Sequence, residues 1–494
     1  MELTQLLNSL HVIQVTGEVQ RRDVADIVYD SRKVQKNSVF VAIKGYKTDG
    51  HKFLQDAINK GAVAVVVEDD DSIPDELITH SKIAKLVVKN SRIALAELSK
   101  GFYKDPTSKL KLVGITGTNG KTTSTFILKN ILQSSGYRTG LVGTIANYVG
   151  DVKVDSKLTT PEANDLNRFF YDMIEAGCSH AIMEVSSHSL VLNRVFGLDF
   201  SAAIFSNITS DHLDFHNTFD EYLNAKKILF DELSSTSFAL INSDDASSGK
   251  IIKDCKAKVV TYGIADNSDY QIKNINYDLN GTDFTITNKN VDYKIHTTLI
   301  GTFNAYNATS AFATALSLGI DANKIVEGIK SSPQVPGRFE VLGNKSKKVI
   351  VDYSHTADSL EKALQAVREI VKDKNQVVTV FGCGGDRDKT KRPVMGKVAS
   401  DLSDKVFVTS DNPRTENPYE IIKDIIKGLS KDNYEIEENR EEAIKNAIQR
   451  SADNAVILIA GKGHENYQEI NGVRNHFSDQ EIALKYLAEW KKYI

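Results

Sequence analysis

Short apolar runs recur along the chain, each closed by a polar or glycine-rich turn and followed by a longer stretch whose apolar residues return at every third or fourth position. The first pattern builds strands buried on both faces and the second builds amphipathic helices, so their alternation predicts parallel sheets with crossover helices. Residues 38–43 and 62–67 read as strands and 91–103 as a helix, which makes residues 1–107 a small α/β domain. Lys104-Asp105-Pro106-Thr107-Ser108 is polar and carries a helix-stopping proline, the expected linker. In a second domain, 108–336, strands at 111–116, 181–186, 202–208 and 238–242 are separated by helix-length segments. Past residue 259 polar and apolar residues alternate, and Asn280-Gly281 signals a hairpin, so an antiparallel appendage is expected there. A helix over 304–318 and a break at 333–337 close this domain. Residues 337–494 show strands at 348–353, 377–381, 405–409 and 455–459 with a helix at 359–372, again doubly wound and Rossmann-like. The expected fold class is α/β in three domains, the central one a P-loop parallel-sheet domain with the antiparallel appendage.

Composition adds exclusions. At 494 residues, 41% hydrophobic and 26% charged, the chain has the make-up of a globular protein of about three domains. A net charge of −4 gives no basic field, so nucleic acid is not an expected partner. Cys178, Cys255 and Cys383 lie far apart without CxxC spacing, which fits a reducing cytosol and neither a disulfide framework nor a metal cluster. No basic segment leads into an apolar run at the start, and no stretch is long enough to span a bilayer; a cytoplasmic protein without membrane insertion is expected.

The chemistry concentrates at strand ends. Gly117-Thr118-Asn119-Gly120-Lys121-Thr122-Thr123 joins an apolar strand to an amphipathic helix, where backbone N–H groups can cradle phosphates, Lys121 adds a charge and the Thr122 hydroxyl can ligate Mg²⁺. The strict P-loop has a glycine where this chain has Ile115, so the loop is a variant. Glu184 ends the strand Ala181-Ile182-Met183, ahead of Val185-Ser186-Ser187-His188, and a carboxylate there supplies the hard oxygen that Mg²⁺ needs. Asp211-His212 follows the next strand; without a third soft ligand beside His212 and His216, His212 reads as a hydrogen-bonding or magnesium-shell residue rather than a zinc ligand. In the last domain Asp352-Tyr353-Ser354-His355, Gly384-Gly385-Asp386-Arg387-Asp388, Asp411-Asn412-Pro413-Arg414 and Gly461-Lys462-Gly463-His464-Glu465 end four strands that should converge on one mouth. Guanidinium forks grip carboxylates and a carboxylate takes an ammonium, so Arg387, Arg414 and Glu465 suit a zwitterion. The competing reading pairs the two arginines with Asp386, Asp388 and Glu416 as surface ion networks.

These motifs, in this order and over essentially the whole chain, resemble the Mur ligases. Glycine loop 117–123, Glu184 to His188, Asn207 to His212, Gly301-Thr302-Phe303-Asn304-Ala305-Tyr306-Asn307, Gly337-Arg338 and Asp352 to His355 all look like family motifs, and the family's own loop accounts for the departure at Ile115. The resemblance implies an ATP-dependent amide-bond ligase of peptidoglycan precursor synthesis: ATP phosphorylates a substrate carboxylate, and an amine then attacks the acyl phosphate. It implies that 117–123, Asn304, Asn307, Asp352 and His355 meet the nucleotide, and that Thr122, Glu184, His212 and Lys226 serve Mg²⁺, Lys226 as a carbamate. Ser354 and Ala357 stand where the family commonly has alanine and proline.

For the acceptor, UDP-N-acetylmuramoyl-L-alanyl-D-glutamate, the resemblance implies a uridine-binding first domain with Ser31 and Tyr46-Lys47-Thr48, and a sugar-peptide site at Thr159, Thr160, Ser186 and Arg194; Leu192 replaces a glutamine of some relatives. Asp411-Asn412-Pro413-Arg414 is similar to the signature of members that add meso-diaminopimelate, with Arg387, Gly461 and Glu465 completing that site. Lysine lacks the distal carboxylate, so an Arg414 desolvated there would face an unpaired cation, and lysine should be rejected. Alternatives are the same ligase adding L-lysine, a folylpolyglutamate-synthetase-like ligase, and a nucleotide-dependent switch, which needs no zwitterion site. A monomer is expected.

Overall fold

Leu112, Val113 and Ile115 of the strand Lys111–Thr116 are fully buried because that strand lies in mid-sheet with helices over both faces. Val113 and Ile115 pack with Ile127 and Ile131 of helix Lys121–Ser134 and with Ala308 and Ala311 of helix Thr302–Ser317, whereas Leu112 meets Leu166 and Phe170 of helix Ala163–Glu175. The division between faces follows from the period-two alternation of a strand, and each such burial contributes about 1.5–3 kcal/mol over an exposed side chain. The computed structural model describes residues 1–8, 10–45, 48–343, 347–372 and 374–490, without the side chains of 213 and 214.

The strand Lys111–Thr116 pairs in parallel with His180–Glu184 on one side and Phe200–Phe205 on the other. The register sets Glu184 opposite Ile115 and Phe205 opposite Thr116, so the polar residues that follow all three strands emerge at one edge. The sheet has eleven strands; beyond Phe238–Asn242 and Lys258–Gly263 it runs through Tyr270–Asp278 into the antiparallel Gly281–Asn288 and Val291–Thr297, the expected appendage. The opposite edge, Thr139–Val142, Asn147–Val149 and Val152–Val154, is one the apolar pattern does not single out, because its outer strands are short and Val152 is exposed.

Two smaller sheets flank this one. Four parallel strands and the antiparallel Gln14–Gly17 form a five-stranded sheet in the order Gln14–Gly17, Ala84–Val87, Ala64–Val67, Ser38–Val41, Asp26–Val28. The third sheet has six strands, in which Lys348–Asp352, Val456–Ala460, Val377–Phe381 and Lys405–Val408 lie side by side and parallel. Asn164 Nδ2 donates to the Ile27 carbonyl (2.7 Å) and Tyr29 to Asp165 (2.7 Å), tying the first unit to the second.

Several element ends differ from the pattern for local reasons. The strand expected at 202–208 is Phe200–Phe205, because Ser206 turns to donate its hydroxyl to the Asn119 carbonyl (2.6 Å). The helix expected from 359 begins at Ala357, where Thr356 and Ser359 form a capping box. The linker at 104–108 is a tight turn with Pro106 and Thr107 buried. Among the described residues no helix is long and apolar enough to cross a membrane.

Candidate active site

A cleft of about 610 Å³ runs between the second and third units and is lined by 117–123, Glu184, Asp211, His212, Lys226, Asn304, Asn307, Arg338, Asp352 and His355. The glycine loop owes its shape to the residues behind it. A Cβ on Gly117 would lie 1.9 Å from Ser206 Oγ, and Gly120 takes φ +88° at the cap of the following helix, so neither position admits a side chain without strain. Asn207 locks the loop: its side-chain oxygen accepts from Asn119 N–H (3.0 Å) while its amide donates to the Asn119 carbonyl (3.1 Å). Lys121 Nζ donates to the carbonyls of Gly117 (2.8 Å) and Thr118 (2.9 Å), placing its charge over the loop. Asn307 sits on the loop as well, 2.5 Å from where a Gly120 Cβ would stand, and donates to Asn304 Oδ1 (2.9 Å).

Thr122 donates its hydroxyl to Glu184 (3.0 Å), and Thr144 donates to the same carboxylate twice, from its N–H (2.8 Å) and its hydroxyl (3.0 Å). Thr144 follows the strand Thr139–Val142 and escapes the sequence reading, since no motif surrounds it. Arg338 Nη2 donates to Thr122 Oγ1 (3.2 Å) from the third unit's side, its guanidinium stacked 4.5 Å from the Tyr353 ring. Thr123 is buried beside Thr122, and Thr159 Oγ1 lies 3.0 Å from Thr144 Oγ1.

Lys226 is 1% exposed, its Nζ 3.0 Å from the Gly117 carbonyl and 4.4 Å over the Tyr222 ring. Burial, and the positive charge of Lys121 second, hold its pKa well below the usual lysine value against the opposing pull of Asp211. Both influences favour the neutral amine over the ammonium. Tyr222 O–H and Thr118 Oγ1 lie 3.1 Å apart, which fixes the ring under Lys226. His212 takes a left-handed backbone (φ +56°) and lies 3.5 Å from Asp211; burial lowers its pKa to about 4 despite that carboxylate, so the imidazole is neutral at pH 7.

Asp352 accepts the Phe339 N–H (2.7 Å) and a short hydrogen bond from Ser354, one of the two residues that depart from the family pattern. His355 Nδ1 lies 2.9 Å from the Tyr353 carbonyl, and burial lowers its pKa. Asp358, which the sequence reading passes over, receives Asn119 Nδ2 (3.2 Å) and the Thr209 hydroxyl (3.4 Å), joining the third unit directly to the glycine loop.

Thr160, Ser186 and Arg194 form a second group. Thr160 donates its hydroxyl to the Glu184 carbonyl (2.8 Å), Ser186 caps the short helix Ser187–Val191, and Arg194 donates to the Thr160 carbonyl (3.1 Å). Glu162 holds Arg194 (2.9 Å) and, from the first unit, Arg92 (3.3 Å). Of the first-unit residues, Ser31 is buried, Thr48 is exposed, neither lines the cleft, and Tyr46 and Lys47 lie outside the described residues.

The four strand ends of the third unit lie side by side; Asp352 to His355 line the cleft, whereas 384–388, 411–414 and 461–465 are not among its lining residues. Asn412 Nδ2 donates to Glu465 Oε2 (2.8 Å), and Gly461, at φ +117°, leaves room for the Asp411 carboxylate, which a Cβ there would approach to 2.5 Å. Pro413 ends its turn against Gly385, whose carbonyl accepts Arg414 Nη1 (2.7 Å). A Cβ on Gly384 would stand 2.9 Å from Arg414 Nη1 and 3.9 Å from Arg387 Cγ, so the two arginines flank one glycine. The acids proposed as their rivals are engaged elsewhere: Asp386 by Thr415 (2.7 Å), Asp388 by Thr390 (2.6 Å), and Glu416 by Arg392 (2.8 Å). Neither Arg387 nor Arg414 forms an ion pair among the described residues.

Three family models cover most of the chain in this order: the Mur ligase family catalytic domain over 23–103, the Mur ligase middle domain over 115–315 and the Mur ligase glutamate ligase domain over 337–463. The UDP-N-acetylmuramoyl-L-alanyl-D-glutamate–2,6-diaminopimelate ligase 1 of Clostridium acetobutylicum is 43% identical over 492 residues, 99% of this chain and 100% of that one. The chain belongs to the Mur ligase family. A solved UDP-N-acetylmuramoyl-L-alanyl-D-glutamate–2,6-diaminopimelate ligase is 31% identical with a TM-score of 0.71, covering 99% of both chains. The MurF ligase of Thermotoga maritima, solved with ADP, shares the three-unit fold at 19% identity, TM-score 0.65, over 95% of this chain and 98% of its own. This Mur ligase is thus an ATP-dependent, ADP-forming amide-bond ligase.

Proposed function

We infer that the ligase adds meso-diaminopimelate to UDP-N-acetylmuramoyl-L-alanyl-D-glutamate in the cytoplasmic assembly of peptidoglycan precursors. The observation that carries this reading is that Arg414 Nη1 and the Arg387 side chain at Cγ both lie against Gly384 while Asp386, Asp388 and Glu416 are bound to other residues. Two guanidinium groups suit the carboxylates of a diamino diacid, and Glu465 beside Asn412 suits an ammonium. The similarity to diaminopimelate ligases supports it independently.

In the reaction that membership of the Mur ligase family implies, the glycine loop and Lys121 hold the ATP phosphates while a carboxylate oxygen of the acceptor attacks the γ-phosphorus, giving an acyl phosphate and ADP. The amine of diaminopimelate then attacks the acyl carbon, and the tetrahedral adduct collapses to the amide with loss of phosphate. Asn304 and Asn307 face the nucleotide from the helix Thr302–Ser317, and Asp352 and His355 from the third unit. Thr122 Oγ1 and Glu184 converge as hard oxygen donors of the kind that fits Mg²⁺, and with His212 and Lys226 they would hold that ion. When bound, that ion would neutralise charge on the transferred phosphoryl group. Lys226 supports a carbamate role: only a neutral amine adds to CO₂, releasing a proton and leaving anionic oxygens in place of a cation that would repel the metal. Thr159, Thr160, Ser186 and Arg194 hold the sugar-peptide, and Ser31 with 46–48 the uridine diphosphate. Unit borders at 107/108 and 336/337 complete the reading, and a monomer suffices because one chain supplies every group named.

The test is ADP release by the full chain with ATP, the UDP-muramoyl-dipeptide and either meso-diaminopimelate or L-lysine, with the product weighed by mass spectrometry. Turnover of diaminopimelate far above lysine is expected; turnover of lysine alone overturns the reading. ATP hydrolysis indifferent to both would favour a switch.

A further inference from the structure

Lys462 has no part in the reaction as written above, yet its side chain is 0% exposed. A lysine is almost never buried completely without a partner, because removing its charge from water is costly. Its Nζ reaches Asn412 Oδ1 (3.2 Å) and Glu465 Oε2 (3.2 Å) together, and Asn412 Nδ2 closes the triangle on the same Glu465 oxygen (2.8 Å). Asn412 Oδ1 also accepts the Glu469 N–H (2.9 Å), so this amide is locked in one orientation. Both donors thus fall on Oε2, while Glu465 Oε1 accepts no hydrogen bond among the described residues.

We propose that Lys462 is a positioning residue of the amino-acid site, holding Glu465 as a carboxylate with Oε2 pinned so that Oε1 takes an ammonium of the diamino acid. This rests on the substrate reading above. The need for such a cation is visible in the surroundings. Burial raises the Glu465 pKa, the Asp411 carboxylate raises it further, and the Lys462 charge is the largest opposing influence, ahead of the Asn412 hydrogen bond. Tyr353, Tyr467 and Arg440 are the remaining titratable or charged groups facing it; Arg440 is spoken for by Asp479 (2.8 Å). Without Lys462, the buried Asp411 and the largely buried Glu465 would face each other with no cation bonded to Glu465 among the described residues, and the proton that Glu465 then took up would block an incoming ammonium.

The expected signature is a pH-dependent KM. In the wild-type enzyme the KM for meso-diaminopimelate stays level from about pH 6.5 to about pH 9, whereas Lys462→Met raises it about twofold at the acid end, the most that a one-unit pKa rise gives a group still ionised there in the wild type, and approaches wild type at the alkaline end. The KM values for ATP and the UDP-muramoyl-dipeptide stay unchanged. Glu465→Gln, which carries no titrating group, gives a raised KM that is flat across the same range, and adding Lys462→Met to it changes little further. A Lys462→Met KM raised equally at every pH overturns the inference in favour of a packing role. If that variant fails to fold, a Glu465→Gln enzyme with wild-type KM overturns it and a raised, pH-flat KM supports it. Wild-type enzyme that releases no ADP with meso-diaminopimelate overturns the substrate reading and this inference with it; wild-type turnover with parallel profiles overturns this inference alone.

Discussion

The phosphate cradle and the amino-acid site both sit at the C-terminal ends of parallel strands, yet they are built differently. The cradle comes from seven consecutive residues, 117–123, whose glycines and helix cap dictate its shape locally, with Asn207 and Ser206 as props. The amino-acid site takes Arg387 from one strand end, 411–414 from a second and Gly461 and Glu465 from a third, and its charges are set by contacts between segments apart in sequence, such as Asn412 with Glu465 and Arg392 with Glu416. A contiguous site should fail in chemistry when one residue changes, whereas an assembled site should fail in recognition.

The largest effect is expected at Lys226, which the separate helix Phe219–Asp231 lays against the cradle at the Gly117 carbonyl: Lys226→Ala lowers kcat by about 10²–10³ or more, as loss of a transition-state charge stabiliser does, with substrate KM values little changed. Added bicarbonate or small carboxylates should restore part of the rate; a fully active alanine variant would refute the carbamate role. Next comes Arg414→Lys, expected to raise the KM for diaminopimelate about 30-fold (~2 kcal/mol) because an ammonium cannot reproduce a forked contact, while the KM for ATP holds. A change confined to kcat would place Arg414 in the chemistry and break the comparison. The smallest effect belongs to Glu416→Gln. It weakens the bidentate grip of Arg392 (3.1 and 2.8 Å) and the brace on Asp386 N–H (2.6 Å), loosening both arginine-bearing loops, and should raise the diaminopimelate KM by about fivefold (~1 kcal/mol). Steady-state kinetics with each substrate varied in turn checks all three.

Much of the fold was legible because apolar runs such as Val377–Phe381 and Phe238–Asn242 are buried on both faces and leave no ambiguity of period. The edge strands Asn147–Val149 and Val152–Val154 were not, because half-exposed three-residue segments carry almost no pattern. Among site residues, Lys121, Thr122 and Glu184 could be named from the turn chemistry around them. Thr144, Asp358 and Lys462 could not, since each is an ordinary residue type that matters only through the group it touches.

From the amino-acid order alone came the units, the phosphate loop and the candidate charges, because backbone curvature and strand burial are local consequences of glycine placement and apolar spacing. Tertiary structure alone decided which charges are free. Among the described residues Arg387 and Arg414 form no ion pair, and folding delivers Asp386, Asp388 and Glu416 to Thr415, Thr390 and Arg392. The Lys226 pKa falls because burial strips the water from its ammonium and packs it near Lys121. Desolvation and charge–charge distance are properties of the assembled molecule, and no spacing along the chain encodes them.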